Sequence, residues 1–111
     1  MEELERLVHL EELQDFLANH EMVLVYISRP NCSVCVSLLP KIQELVRDFP
    51  RLRAVHVDLA DVPEIAGAFT LLAAPAILLM VEGKEILRKA GIISIDLFTK
   101  ELQKIYTAYY H

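Results

Sequence analysis

The chain reads as an α/β protein with a central mixed β-sheet and helices on both faces, in the order βαβαβαββα. Three observations predict it. Apolar runs at 22–27 and 76–81 and an alternating stretch at 53–59 are separated by segments of helical periodicity. Glu82-Gly83-Lys84 is the one connection that reads as a hairpin turn, and Ser94 to Tyr110 carries a single apolar stripe. Strands alternating with helices imply parallel pairing through right-handed crossovers, while the hairpin adds an antiparallel edge.

Taken in order, Leu4, Leu7 and Val8 project to one side of a helical wheel, and Leu13, Phe16 and Leu17 project nearly opposite. One continuous helix does not accommodate both sets, so a short extended piece over Arg6–Val8 precedes a helix over Leu10–Asn19, ended by Asn19-His20. Met22–Ile27 has the composition of a central strand buried on both faces. Ser28-Arg29-Pro30-Asn31 is a turn, with Asn31 placed to cap the next helix.

From Ser33 to Phe49, Val34, Leu38, Ile42, Leu45 and Phe49 recur at spacings of four and three, widened by Leu39 and Val46. Pro40 falls on the outer side and kinks this helix without ending it. Arg53–Leu59 alternates as a strand, and Asp61 caps a short helix that runs through Phe69, with Pro63 in its first turn. Ala76–Val81 is a second buried strand and Glu85–Ala90 its antiparallel partner at the sheet edge. The closing helix over Ser94–Tyr110 turns Leu97, Phe98, Leu102, Ile105 and Tyr109 inward; Tyr106, Tyr109 and Tyr110 read as packing residues in a fraying terminal turn.

With 111 residues, 54% of them hydrophobic, the chain fits one domain over 1–111 with one core. Its net charge of −5, with no basic stripe, argues against nucleic acid or an anionic membrane as partner. The acidic, amphipathic start lacks the pattern of a secretion signal, and the longest apolar run, Leu71 to Val81, is broken by Pro75. A soluble, cytoplasmic protein is expected.

The two cysteines, Cys32 and Cys35, lie three positions apart, so a disulfide between them closes a small ring and stabilises the fold little. That spacing suits thiol chemistry better than stapling. Half of a zinc site is the competing reading, but His9, His20, His56 and His111 are scattered, and no metal is expected.

A strand, a turn, Cys-x-x-Cys opening a helix, Pro40 five residues after the second cysteine, Ala74-Pro75-Ala76 leading into a terminal ββα, and Gly91 after the last strand together resemble the thioredoxin family over nearly the whole chain. The resemblance implies the thioredoxin fold, a cis peptide between Ala74 and Pro75, and a redox-active Cys32–Cys35 disulfide in place of any cofactor. Pro30, Asn31, Ala74, Pro75, Gly91 and Ile92 form the expected rim for an extended polypeptide. Departures are equally visible. Asn31 stands where the family has tryptophan, Ser33-Val34 where it has Gly-Pro, Tyr26 where it buries an aspartate, and His56 where it has a lysine.

Thiolate is the attacking form, and a helix N-terminus brings a cysteine pKa down from about 8.5. Cys32 is therefore the expected nucleophile, with Arg29 as a nearby cation and Ser33 and Val34 as further modulators. Cys35, more covered, resolves the mixed disulfide as an intramolecular step. Proton removal from Cys35 lacks the family's carboxylate. Tyr26 does not replace it near neutral pH, and His56 or solvent remains, so slower turnover than in a standard thioredoxin is predicted. The function expected is reduction of protein disulfides, with electrons from thioredoxin reductase, a low-molecular-weight thiol or another thioredoxin-like protein. The alternative is a redox-sensing or redox-inactive interaction module on the same fold.

Overall fold

The computed structural model describes residues 4–111. The elements are β1 (Glu5–Arg6), α1 (Leu10–Asn19), β2 (Met22–Ser28), α2 (Ser33–Arg47), β3 (Arg53–Asp58), α3 (Ile65–Ala68), β4 (Ala76–Val81), β5 (Lys84–Ala90) and α4 (Ile95–Tyr110). They build one five-stranded sheet in the order β1-β3-β2-β4-β5. β1 and β2 run parallel to β3, whereas β4 is antiparallel to β2 and β5 to β4. The alternation and the single hairpin are thus realised as a mixed sheet, with β2 at its centre and all seven of its residues buried. At the hairpin, Glu82 and Gly83 both take positive φ, 51° and 79°, the paired left-handed conformation of a tight primed turn.

Strand alternation divides the core into two layers. Leu24, Tyr26, Ala54, Ile77 and Leu79 face α2 and α4, meeting Leu38, Ile42, Leu45, Phe98 and Leu102. Val23, Val25, Ile27, Val55, Val57 and Leu78 face the other way, onto Leu13 and Leu17 of α1 and Ile65 of α3. Each Val, Leu, Ile or Phe among these side chains, once fully buried, contributes about 1.5–3 kcal/mol. Leu4 and Leu7, on either side of β1, enter opposite layers, which pins the short edge strand to the sheet.

Several local expectations are corrected. The extended N-terminal piece is Glu5–Arg6, not Arg6–Val8, and Val8 is exposed. Ser28 belongs to β2 rather than to the turn, and Leu59 falls outside β3. α2 ends at Arg47, with Phe49 packed into the core from the turn beyond it. Pro40 lies inside α2 on its exposed side, and the helix continues through it. α3 spans only Ile65–Ala68 with Glu64 at its N-cap; Asp61 instead pairs with Arg6 at 2.6 Å. β5 starts one residue early, at Lys84.

Val34 and Leu97, placed in inner stripes by their spacing, are 54% and 52% exposed. Both sit in the first turn of their helix, and Cys35 and Ile95 take the inward positions there. The last turn of α4 is held: Tyr106 packs edge-on against Phe49, and the Tyr109 hydroxyl donates to Glu82 Oε2 at 2.6 Å.

Candidate functional site

β2 delivers the chain to the end of the sheet at Ser28, and the loop 29–31 turns it into α2. Asn31 does not cap the helix. Its φ of 56° is left-handed, a conformation asparagine tolerates, and it passes the N-cap position to Cys32. The Cys32 sulfur accepts the Cys35 N–H at 3.2 Å, where a serine or aspartate oxygen ordinarily sits, and the Cys32 carbonyl accepts the Val36 N–H. Cys32 and Cys35 form a disulfide, with their Cα atoms 5.3 Å apart. Both cysteines are buried in this bonded state, Cys32 at 6% and Cys35 at 4% exposed.

Beneath the pair lies a polar floor built by strand register. Parallel pairing sets Tyr26 beside His56 and Ser28 beside Asp58. All four share one parity and so one face of the sheet. The Tyr26 hydroxyl donates to the Cys35 carbonyl at 2.6 Å, and burial pushes its pKa up to about 12. The Tyr26 and His56 rings are in tilted contact, their centroids 5.2 Å apart and their planes at 38°. The Ser28 hydroxyl donates to Asp58 Oδ2 at 3.0 Å. That leaves its oxygen as acceptor, so the 2.7 Å contact with His56 has Nε2–H as the donor. Asp58 Oδ1 accepts the Ala60 N–H at 2.8 Å.

These groups line a cleft of about 550 Å³ together with Arg29, Pro30, Asn31, Ser33, Val36, Leu39 and both cysteines. The structure therefore gathers Tyr26, Arg29, Pro30, Asn31, Cys32, Ser33, Cys35 and His56 in one place. Val34 is turned out to solvent. Ala74, Pro75, Gly91 and Ile92 are not part of this cleft. They lie at the same end of the sheet on the β4 flank: Ala76 pairs with Ile27, the Gly91 N–H donates to the Pro75 carbonyl at 2.9 Å, and Ile92 is fully exposed. The Ala74–Pro75 peptide is cis.

Two site residues, Ser28 and Asp58, escaped the sequence reading. Their signal was parity, since Ser28 follows Tyr26 by two and Asp58 follows His56 by two. Among the described residues, no group of three or more His, Cys, Asp and Glu is arranged to hold a metal, and no helix is long and apolar enough to cross a membrane.

The thioredoxin family model matches residues 6–104, taking in both cysteines, Pro75 and Gly91. The chain belongs to the thioredoxin family. It is 33% identical over 109 residues to the thioredoxin-like protein YdfQ of Bacillus subtilis, covering 98% of this chain and 97% of that protein. Thioredoxin from Trypanosoma brucei brucei superposes with a TM-score of 0.82 at 15% identity, covering 94% and 91% of the two chains. A Plasmodium falciparum thioredoxin does so with 0.79 at 16% identity, covering 96% and 99%. At such identities the structures establish the thioredoxin fold. Family membership together with the close cysteine pair supports thiol–disulfide oxidoreductase chemistry in general terms. The floor under the cysteines is a tyrosine, a serine, a histidine and an aspartate linked by hydrogen bonds and ring contact.

Proposed function

We propose that the protein reduces disulfide bonds in other proteins, with Cys32 attacking and Cys35 resolving. The single observation that carries this reading is the Cys32 sulfur at the N-cap of α2, accepting the Cys35 N–H. Once the pair is reduced, the same N–H and the helix N-terminus favour a thiolate on Cys32. That thiolate attacks one sulfur of a client disulfide, and the other client sulfur leaves as a thiol. Cys35 then loses its proton and attacks Cys32, releasing the second client thiol and restoring the Cys32–Cys35 disulfide. Two electrons from thioredoxin reductase, a low-molecular-weight thiol or another thioredoxin-like protein return the pair to the dithiol.

Pro30, Asn31, Ala74, Pro75, Gly91 and Ile92 supply the rim for the client, a mostly small or apolar surface suited to extended polypeptide. Arg29 and Ser33 border the pair and act on its charge. The proton of Cys35 passes to His56 or to water in the cleft, because Tyr26 holds its own proton up to a pKa of about 12 and so is no acceptor at neutral pH. Turnover slower than in a standard thioredoxin follows, in a cytoplasmic setting.

The test is capture. A Cys35→Ser variant strands client proteins as mixed disulfides on Cys32, released by dithiothreitol, while Cys32→Ser captures none. Equal capture by both variants, or by neither, refutes the assignment. A stopped-flow rate of insulin reduction equal to that of a thioredoxin control refutes the slower turnover.

A further inference from the structure

Two flanks meet at the end of the sheet that carries the disulfide. Pro75, Gly91 and Ile92 stand on the β4 flank of β2, and the cleft opens on the β3 flank, lined by Ser28, His56 and Asp58. The rim on the β4 flank is small and apolar, whereas the cleft carries both signs of charge. Arg29 lines it, is exposed, and makes no hydrogen bond or ion pair with any described residue. Asp58 lines it too, and its hydrogen bonds come from neutral donors, the Ser28 hydroxyl and the Ala60 N–H. Arg6 senses the charge of Asp58 but pairs with Asp61. At about 550 Å³ the cleft lies in the range of small-ligand sites.

We infer that this cleft binds a low-molecular-weight thiol bearing both a carboxylate and an ammonium group, and that such a thiol reduces the Cys32–Cys35 disulfide from the β3 side. The carboxylate meets the guanidinium of Arg29, the ammonium meets Asp58, and the sulfur is left at the wall formed by the two cysteines. The inference rests on the reading of the pair as a disulfide reductant and names its electron donor by chemistry. In the first step the small thiolate attacks one cysteine sulfur and the Cys32–Cys35 bond breaks. The displaced cysteine leaves as a thiolate and takes up the proton that the small thiol lost. A second small thiolate then attacks the small-molecule sulfur of the mixed disulfide, so two thiols are oxidised to one small disulfide and the protein is left as the dithiol.

Four probe thiols separate charge from intrinsic reactivity: cysteine carries both groups, cysteamine only the ammonium, 3-mercaptopropionate only the carboxylate, and 2-mercaptoethanol neither. Rates of reduction of the oxidised protein are read by acid quench, alkylation and mass spectrometry, and corrected for thiolate fraction and basicity. Cysteine is expected to react roughly tenfold faster than 2-mercaptoethanol after correction. In Arg29→Gln that ratio falls to the value for cysteamine, in Asp58→Asn it falls to the value for 3-mercaptopropionate, and Arg29→Lys restores most of it. Taking ratios within each variant removes any change in the disulfide itself.

A ratio near one in the native protein, or a ratio indifferent to both substitutions, overturns the inference. The same chemically reduced protein is assayed with insulin. Activity there beside a ratio near one sinks the cleft and leaves the reductase standing; no activity there beside a tenfold ratio sinks the reductase.

Discussion

The two faces of the β2–β3 pair are made from the same two strands and do opposite things. On the face toward α1 and α3, Val23, Val25, Ile27, Val55 and Val57 are apolar from end to end and buried. On the face toward α2 and α4 the side chains grade from Leu24 and Ala54 to Tyr26, Ser28, His56 and Asp58. The polar end of that gradient lies under the disulfide. A period of two lets adjacent residues serve a core and a site without compromise. Val57 can be a core residue and Asp58 a site residue because the peptide between them reverses the direction of the side chain.

If this division holds, substitutions on the two faces separate activity from stability. The largest effect is at the sulfur itself: Cys32→Ser lowers insulin reduction by about 10³-fold or more, to the uncatalysed background, with little change in the urea midpoint. On the apolar face, Ile27→Ala costs about 2–4 kcal/mol in urea unfolding. Activity per folded molecule stays within about twofold, because Ile27 faces away from the cleft. Loss of activity beyond the loss of fold in Ile27→Ala breaks the comparison.

Tyr26 sits where the two roles meet, buried like core and bonded to the site. Its pKa is raised by burial from 10.0 to about 12. A raised folded pKa means that the native state keeps the proton which the unfolded chain releases. The stabilisation is therefore complete below about pH 10 and is lost as pH climbs toward 12. Relative to Tyr26→Phe, the native protein should lose roughly 2–3 kcal/mol over that window. Urea midpoints measured between about pH 9 and 12 test it, and parallel curves for the two proteins contradict it.

A smaller effect belongs to His56. His56→Gln should slow resolution of the Cys32 mixed disulfide by about tenfold near neutral pH while leaving its formation unchanged. An unchanged resolution rate assigns the Cys35 proton to water. The smallest effect lies at the far end of the sheet, where the hydrogen bond to Glu82, followed by desolvation and the charge of Glu21, raises the Tyr109 pKa. Glu82→Gln should bring the alkaline absorbance titration of Tyr109 back toward that of an ordinary tyrosine and leave activity unaltered.

Much of this division was legible beforehand. Periodicity placed α1 and β4 with the boundaries the structure has, and composition marked β2 as central. The cysteines, Pro75 and Gly91 stood in an order that carries the fold. What escaped was set by geometry between distant residues. Ser28 has turn chemistry, and only the register with a strand thirty residues away makes it a partner of Asp58. Asn31 is a good capping residue by type, yet its left-handed φ moves the cap onto Cys32. Val34 and Leu97 keep the helical spacing, but in a first turn the inward direction went to Cys35 and Ile95.

The central claim is that α2 holds Cys32 as the reactive thiolate. Iodoacetamide alkylation of the freshly reduced protein across pH 5–10, with the modified residue mapped by mass spectrometry, tests it most directly. The account predicts modification of Cys32 ahead of Cys35, with an inflection well below the free-cysteine value of about 8.5. Equal labelling of both cysteines, at the pace of a thiol in an unfolded peptide, would contradict it.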